Sequence, residues 1–145
     1  MRVCLQRVSQ ASVTVDGEVV GSIGKGLVLL IGLKEGDDES LIAPMAKKVA
    51  ALRIFEDEND KMNLSLSDLG YEVLIISQFT LYADTRKGRR PSFTGAMPPD
   101  QAEKLYLRII ETFRSMGIRV ATGRFGAKML VEIHNWGPVT ILLEP

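Results

Sequence analysis

The sequence of 145 residues contains one cysteine, Cys4, and one histidine, His134. A single cysteine excludes an internal disulfide, and without a cluster of cysteines and histidines the usual zinc sites are excluded too. We therefore expect no metal ion and no other cofactor. The N-terminal segment also lacks the apolar stretch of a signal peptide. Together these absences predict a protein of the reducing cytoplasm.

Net charge and long hydrophobic runs are absent as well. Lys and Arg together number 18, as do Asp and Glu, so the protein as a whole does not attract polyanions. A nucleic acid would have to bind a local basic patch. The longest apolar run, residues 27–33, is far too short to span a membrane, and we expect no membrane partner. With no repeat and no linker, residues 1–145 are predicted to form a single domain.

Strand patterns dominate both ends of the chain. β-Branched residues recur in residues 2–15, and the following Asp16-Gly17 is typical of a hairpin turn. Residues 25–33 are apolar on both faces, as in a strand that is buried on both sides. Residues 73–83 begin as a second core strand, and the C-terminal third of the chain returns to strands.

Two segments with helical periodicity lie between these strands. Apolar residues recur every three or four positions within residues 36–55, at Leu41, Met45, Val49 and Leu52. Residues 98–117 begin with prolines, with Asp100 and Glu103 as the predicted capping box, and end at Gly117. Two main helices and about seven strands predict an α/β domain whose helices cover one face of a sheet.

Polar residues interrupt the second core strand in the segment SQFTL, residues 77–81. Burying these polar groups unpaired would cost about 1–3 kcal/mol each. We therefore expect Ser77, Gln78 and Thr80 to satisfy backbone groups at a strand end, to face water, or to form a site. A hydroxyl nucleophile needs a base, and alternation puts His134 on the outer face of a strand. The carboxylates lie in helix-start and turn contexts. Any catalysis is therefore expected to come from main-chain dipoles or from the substrate.

The segment TRKGRRPSF, residues 85–93, concentrates positive charge in a neutral protein. Its basic residues are Arg86, Lys87, Arg89 and Arg90. With Phe93 as a stacking face it fits a contact with a phosphate backbone, although a solvated loop explains it equally well. The segment TGRFGAKM, residues 122–129, adds Phe125 and two more basic residues, and it fits either a weak phosphate cradle or a turn between strands.

The pair Gly137-Pro138 interrupts the last strand pattern, within NWGPVT at residues 135–140. Composition alone favours a trans proline at a strand boundary, because only about 5–6% of X-Pro bonds in folded proteins are cis. A glycine before proline also lets its carbonyl approach a ligand with no side chain in the way. Both interpretations stay open at this point.

The segments SQFTL and NWGPVT, with GRFGAKM between them, resemble the D-aminoacyl-tRNA deacylase family. The resemblance extends over nearly the whole chain, including residues 6–27 and 53–66. It implies a homodimer of β/β/α-layered subunits that hydrolyses the ester between a D-amino acid and the terminal ribose of tRNA. Glycine attached to tRNA, including glycine mischarged on tRNA-Ala, is implied as a further substrate.

The resemblance also implies roles for particular residues. The implied catalytic residues are Ser77, Gln78, Phe79 and Thr80. The implied substrate pocket is formed by Phe125, Gly126, Ala127 and Met129. The implied tRNA contacts are Arg86, Lys87, Arg89 and Arg90. Gly137 and Pro138 are expected to reach in from the other subunit through a cis peptide bond. Their carbonyls would leave no room for the side chain of an L-amino acid.

For the chemistry, backbone N–H groups near Phe79 and Thr80 are the natural stabilisers of an oxyanion. The ribose 2′-hydroxyl beside the ester would assist, and Thr80 as a covalent nucleophile is the alternative. Two positions depart from the family pattern: Trp136 stands where a small acidic residue is expected, and Arg90 adds a charge. A competing hypothesis is a non-catalytic module that binds single-stranded nucleic-acid ends without distinguishing an aminoacyl ester from a bare 3′ end.

Overall fold

A computed structural model describes residues 1–145. Its elements in chain order are β1 (Arg2–Val15), β2 (Glu18–Ile23), β3 (Gly26–Gly32), α1 (Ile42–Ala51), β4 (Phe55–Glu56), β5 (Met62–Leu64), α2 (Leu66–Leu69), β6 (Glu72–Ser77), α3 (Pro99–Ser115), β7 (Val120–Thr122) and β8 (Leu130–Leu143). Two 3₁₀ turns, Glu39–Leu41 and Phe79–Tyr82, precede α1 and follow β6. None of the helices has both the length and the apolar character that crossing a membrane requires.

One mixed sheet organises the molecule, with the order β2-β1-β3-β6-β7 and β8 paired to β1. The pairs of β1 with β2, β3 and β8 are antiparallel, whereas β3–β6 and β6–β7 are parallel. Strand β1 is long enough to pair first with β3 and then with β2 along one edge, while β8 follows its other edge. The predicted α/β class is confirmed.

Apolar residues form two cores, one on each face of the sheet. Alternation along β6 sends Val73 and Ile75 into a core shared with α1 and α3, and Leu74 and Ile76 into a second core. The second core is closed by the far half of β1 together with β2 and by partly buried residues of β8. The domain therefore has three layers. The helices cover one face of the central strands, and β2 with parts of β1 and β8 folds over the other face of those strands. Burial of β3 on both faces, predicted from its sequence, is confirmed.

Several local predictions can be compared with the structure. The hairpin turn is confirmed, since Asp16 and Gly17 have φ of 49° and 80° between β1 and β2. The capping box at the last helix is wrong: α3 starts at Pro99, its N-cap Pro98 makes no side-chain cap, and Asp100 already lies in the first turn. A side-chain cap accepts hydrogen bonds from the unpaired N–H groups at the start of a helix. A proline at the first helical position has no N–H, so one of these groups is absent.

The prediction of about seven strands and two main helices agrees with the structure, in which α1 and α3 are the long helices. There are eight strands, and the additional short helix α2 begins with a real capping box between Ser65 and Asp68. The signal for it was present in the sequence, as a serine followed three residues later by an acidic residue and then by Gly70. Gly70 has φ of 61° and closes α2 in the left-handed conformation.

The contact between β3 and β6 leaves no space for a side chain at Gly26. A Cβ there would lie 1.9 Å from the carbonyl oxygen of Glu72, its partner in the parallel register. We expect Gly26→Ala to force the strands apart and to lower the free energy of unfolding by about 3 kcal/mol or more, at or above the usual upper range for overpacking. Urea denaturation followed by circular dichroism measures this.

The matched control is Gly24→Ala, two residues earlier, where a Cβ would be 3.8 Å from a side-chain oxygen of Glu72. This change is expected to alter the unfolding free energy by about 0.5 kcal/mol or less. Equal effects of the two substitutions would contradict the proposed steric origin.

Candidate active site

Strand β6 ends at Ser77, and the chain then changes direction abruptly. The Gln78 N–H still continues the parallel ladder, since it donates to the Ile31 carbonyl at 2.7 Å. The next four residues form the 3₁₀ turn Phe79–Tyr82. The sequence change at Ser77-Gln78 therefore marks a strand end, as predicted, but the helical turn after it was not anticipated.

The N–H groups of Phe79 and Thr80 open this turn, and Gln78 provides no side-chain cap for them. The first N–H groups of a helical turn have no partner within it. The Gln78 side chain instead donates to the Thr80 hydroxyl at 2.5 Å. Phe79 and Thr80 are both exposed, so their N–H groups can donate to an oxygen of a bound molecule.

A cavity of about 550 Å³ lies at this strand end. Ser77, Gln78 and Phe79 line it on one side, whereas Thr80 is not among its lining residues. The opposite wall is the segment predicted as the substrate pocket, and all four of its members line the cavity: Phe125, Gly126, Ala127 and Met129. The structure thus brings together two segments that are some fifty positions apart in the sequence.

The cavity has an apolar floor that the sequence interpretation missed. Its residues are Leu33, Ala96, Met97, Pro98, Pro99 and Ala102. Phe93 also lines the cavity and packs edge to face on Phe79, with ring centroids 5.1 Å apart. The available signal was the apolar run AMPP at the end of an otherwise polar loop. Apolar walls with a few convergent polar groups are typical of a small-molecule site.

The wall that carries Phe125 is anchored from behind by Tyr106 on α3. The buried Tyr106 hydroxyl donates to the Ile75 carbonyl at 2.8 Å, and the Gly123 N–H donates to the same oxygen at 3.3 Å. The Tyr106 and Phe125 rings are 5.7 Å apart. Burial raises the pKa of Tyr106 to about 12, so its hydroxyl remains a donor at neutral pH.

The Gly137-Pro138 peptide bond is cis, unlike the trans bond that composition alone favours. It also lies inside one continuous strand, β8, so the expected strand boundary is wrong. The pairing of β8 with β1 shifts register on both sides of Val8, which accommodates the interruption. Gly137 and Pro138 are both exposed.

The glycine at position 137 is required by both conformation and space. Its φ is +136°, and a Cβ there would lie 2.8 Å from a guanidinium nitrogen of Arg7 and 2.9 Å from Val139. The corner is also tied by the Val139 N–H, which donates to the Asn135 side-chain oxygen at 2.8 Å.

Arg7 supports this corner from beneath and is almost fully buried, with 2% exposure. Its Nε donates to the Trp136 carbonyl at 2.8 Å and its Nη1 to the Ile54 carbonyl at 2.7 Å. The guanidinium also stacks on the Trp136 indole, 4.9 Å from the ring centroid, and Glu56 lies 3.7 Å away. Sequence reasoning missed Arg7, although its parity along β1 matches that of the buried Val3 and Leu5.

Within one chain the corner and the cavity are far apart. Strand β8 reaches the cavity at Val131, six residues before Gly137. Six rises of about 3.3 Å give a separation of about 20 Å along the strand. Neither Gly137 nor Pro138 lines the cavity.

The basic loop is only partly available to a partner. Arg86 is bound to Asp84 through Nε at 2.9 Å and Nη2 at 2.6 Å. Hydrogen bonds from the Arg86 side chain and backbone lower the pKa of Asp84 to about 2, so the carboxylate stays charged at neutral pH and is protonated only as the pH falls through that value. The remaining basic residues, Lys87, Arg89 and Arg90, are exposed and make no ion pair.

The single histidine lies away from the cavity. His134 is exposed on β8 and faces Gln10, whose side-chain nitrogen is 3.5 Å from both ring nitrogens. It lines a separate polar depression with Ser12 and Glu132. No imidazole is therefore available to Thr80 within this chain, as the sequence pattern predicted.

Comparison with known proteins identifies relatives over the whole chain. The family model described as D-Tyr-tRNA(Tyr) deacylase matches residues 4–144. A D-aminoacyl-tRNA deacylase of Thermomicrobium roseum is 59% identical over 144 residues, covering 99% of this chain and 94% of the relative. A D-aminoacyl-tRNA deacylase of Heliobacterium modesticaldum is 56% identical, covering 99% and 96% respectively.

Solved structures share the fold. The c-Myc DNA Unwinding Element Binding Protein superposes with a TM-score of 0.94 at 44% identity, covering 100% of this chain and 99% of that one. A probable eukaryotic D-amino acid tRNA deacylase superposes with a TM-score of 0.84 at 21% identity, covering 98% and 97%. The second likeness supports the fold alone.

Proposed function

The chain belongs to the D-Tyr-tRNA(Tyr) deacylase family, and we propose that its cavity at the end of β6 is where a D-aminoacyl-tRNA ester is hydrolysed. One observation carries the assignment of the site. Two N–H groups with no side-chain cap open the turn at the rim of an apolar cavity, and the only histidine lies elsewhere. The whole chain, residues 1–145, would act as one deacylase domain.

The chemistry we propose uses the main chain and the substrate. Water attacks the ester carbonyl, and the N–H groups of Phe79 and Thr80 donate to the oxyanion that develops. The ribose 2′-hydroxyl next to the ester assists the attacking water and the departing 3′-oxygen. Thr80 as a nucleophile is less well supported, because no base lies beside its hydroxyl, which instead accepts a hydrogen bond from Gln78.

Selection between D- and L-amino acids is proposed to need two subunits. The separation of about 20 Å means that the corner at Gly137 cannot complete the cavity of its own chain. A second copy that presents its exposed corner to the cavity, in a two-fold homodimer, would do so. Carbonyl oxygens at that position would exclude the side chain of an L-amino acid. Glycine has no side chain, so glycyl-tRNA, including that mischarged on tRNA-Ala, would also be accepted.

The basic loop is proposed to contact the tRNA backbone near the aminoacylated end. Lys87, Arg89 and Arg90 have no ionic partner, and Phe93 at the end of the loop lines the cavity. Arg86 would contribute less, because Asp84 already neutralises it. Arg124 and Lys128, exposed on the opposite wall, would extend the positive rim.

A second candidate function is binding of nucleic-acid ends without catalysis. It is favoured by the similarity to the protein named for binding a DNA unwinding element. The basic loop and Phe93 would serve such binding as well. The two functions differ in whether the aminoacyl ester is recognised.

We expect the protein to hydrolyse D-tyrosyl-tRNA at least about 100-fold faster than L-tyrosyl-tRNA. The reason is steric: the carbonyls of Gly137 and Pro138 would leave no room for the side chain of an L-amino acid and would not obstruct that of a D-amino acid. The remaining ester is measured over time with radiolabelled tyrosine, against spontaneous hydrolysis without protein. Equal catalysed rates for the two enantiomers would refute the steric selection, whereas binding of bare and acylated tRNA with no ester loss would favour the second candidate.

The mechanism predicts different outcomes for two changes. Thr80→Ala is expected to keep the single-turnover rate within about threefold, since its hydroxyl takes no part in bond formation. A D-tyrosyl-tRNA that ends in 2′-deoxyadenosine is expected to react about 100-fold or more slowly, the lower range for general acid–base assistance. Quenched-flow measurement of ester loss gives both rates.

The control substrate carries the 2′-deoxy sugar at the penultimate nucleotide and is expected to react normally. The control variant is Thr80→Ser, which keeps the hydroxyl. If Thr80→Ala lost several orders of magnitude with its fold intact, as removal of a catalytic nucleophile does, Thr80 would be the nucleophile after all.

Salt dependence tests the loop. The triple variant Lys87→Ala, Arg89→Ala and Arg90→Ala should reduce the slope of log affinity against log salt by about 2, because each single-strand phosphate contact contributes about 0.7. Binding is measured with an amide-linked D-tyrosyl-tRNA, which cannot be hydrolysed. Arg86→Ala is the matched control and should change the slope little; an unchanged slope in the triple variant would exclude the loop from tRNA contact.

A further inference from the structure

We propose that Arg2 and Gly32, which face each other on β1 and β3, position the Phe79–Tyr82 turn and thereby aim its N–H groups at the reacting ester. Arg2 is a positioning residue in this account, since it acts through the turn and not on the substrate. The inference deepens the proposed function and rests on it. It follows from three observations at one end of the sheet.

First, Arg2 and Gly32 are direct partners in the antiparallel register of β1 and β3. Side chains of directly opposed residues project from the same face of the sheet. Because Gly32 has none, the sheet has an unfilled position next to the Arg2 side chain. The backbone conformation does not require a glycine at position 32, since φ lies outside the positive range. The reason for the glycine is therefore the space that its missing side chain leaves above the sheet.

Second, the turn occupies that position. A Cβ at Gly32 would lie 3.0 Å from the Gln78 carbonyl oxygen, 3.0 Å from the Leu81 Cβ and 3.3 Å from the Tyr82 ring. Contacts this short mean that any side chain would push the turn away from the sheet. The start and the end of the turn therefore rest on the same glycine, which fixes its height above β3.

Third, Arg2 holds the C-terminal end of the turn. Its Nη1 donates to the Leu81 carbonyl at 2.9 Å, and its guanidinium lies 4.7 Å from the centroid of the Tyr82 ring. The last carbonyls of a helical turn have no partner within it, and a cation there also complements the dipole of the turn. Glu144 orients the guanidinium by accepting from Nε at 2.5 Å.

The Tyr82 ring remains a neutral partner for the guanidinium. Burial, and to a lesser extent Asp37, raise the pKa of Tyr82 to about 12. The contact between Arg2 and the turn therefore persists unchanged across neutral pH. Because Arg2 does not line the cavity, its loss would alter the orientation of the N–H groups without removing a substrate contact.

The experiment compares Arg2→Met and Arg2→Lys in steady-state hydrolysis of D-tyrosyl-tRNA. Arg2→Met is expected to lower kcat about tenfold with KM within twofold. The reason is that misplaced N–H donors weaken stabilisation of the transition state while binding of the ester in the ground state changes little. Arg2→Lys, which can still donate to the Leu81 carbonyl, should recover part of kcat. Gly32→Ala should lower kcat in the same way if the variant folds.

The matched control is Arg108→Met on α3, which makes the same change at an exposed arginine with two carboxylate partners, Glu39 and Glu111. It should leave kcat and KM unchanged. If Arg2→Met altered the melting temperature but not kcat, Arg2 would have only a structural role. If it raised KM alone, Arg2 would bind RNA, and either result would overturn the proposal.

Backbone amide resonances of Phe79 and Thr80 give a readout that does not depend on activity. They should shift in the Arg2→Met variant and stay in place in the Arg108→Met variant. If the wild-type protein failed to hydrolyse the ester while these resonances shifted, the proposed function would be wrong and the positioning of the turn would stand. Unshifted resonances in Arg2→Met would refute the positioning itself.

Discussion

The pairing of β1 with three other strands is the constraint on which the rest of the structure depends. One fourteen-residue strand supplies partners to β2, β3 and β8, and its apolar residues change from one core to the other along its length. Its beginning contacts the Phe79–Tyr82 turn through Arg2, and its middle carries Arg7 beneath the corner at Gly137. The turn and the corner are thus held at a fixed separation by one strand.

Much of this architecture could be predicted from local pattern. The two-sided apolar character of β3, the Asp16-Gly17 turn and the end of β6 at Ser77 follow from rules that act within a few residues. The cavity wall at residues 125–129 needed the family resemblance, because a glycine-rich turn by itself carries no information about what it faces. The capping error at α3 arose because a proline-initiated helix needs no side-chain cap.

The remaining features depend on contacts between distant residues. The parity of Arg7 along β1 indicates burial, but nothing near Arg7 or Gly32 in the sequence shows which residues they contact. Their meaning comes from Trp136, Ile54 and the 78–82 segment, which lie tens of positions away. A residue whose role is steric, either to fill a space or to leave one for a neighbour, can be recognised only when the folded structure shows that neighbour. For the apolar floor of the cavity, the run AMPP was a visible signal, but the sequence did not show what it faces.

The carbonyl oxygen of Ile75 joins three elements at one atom, because it accepts from both Tyr106 on α3 and Gly123 at the start of the cavity wall. The shape of the cavity is therefore coupled to the packing of α3 in the main core, through Tyr106 and its neighbour Phe125. A change on the buried face of this helix, at Tyr106 for example, would therefore alter the shape of the cavity through a residue that does not line it.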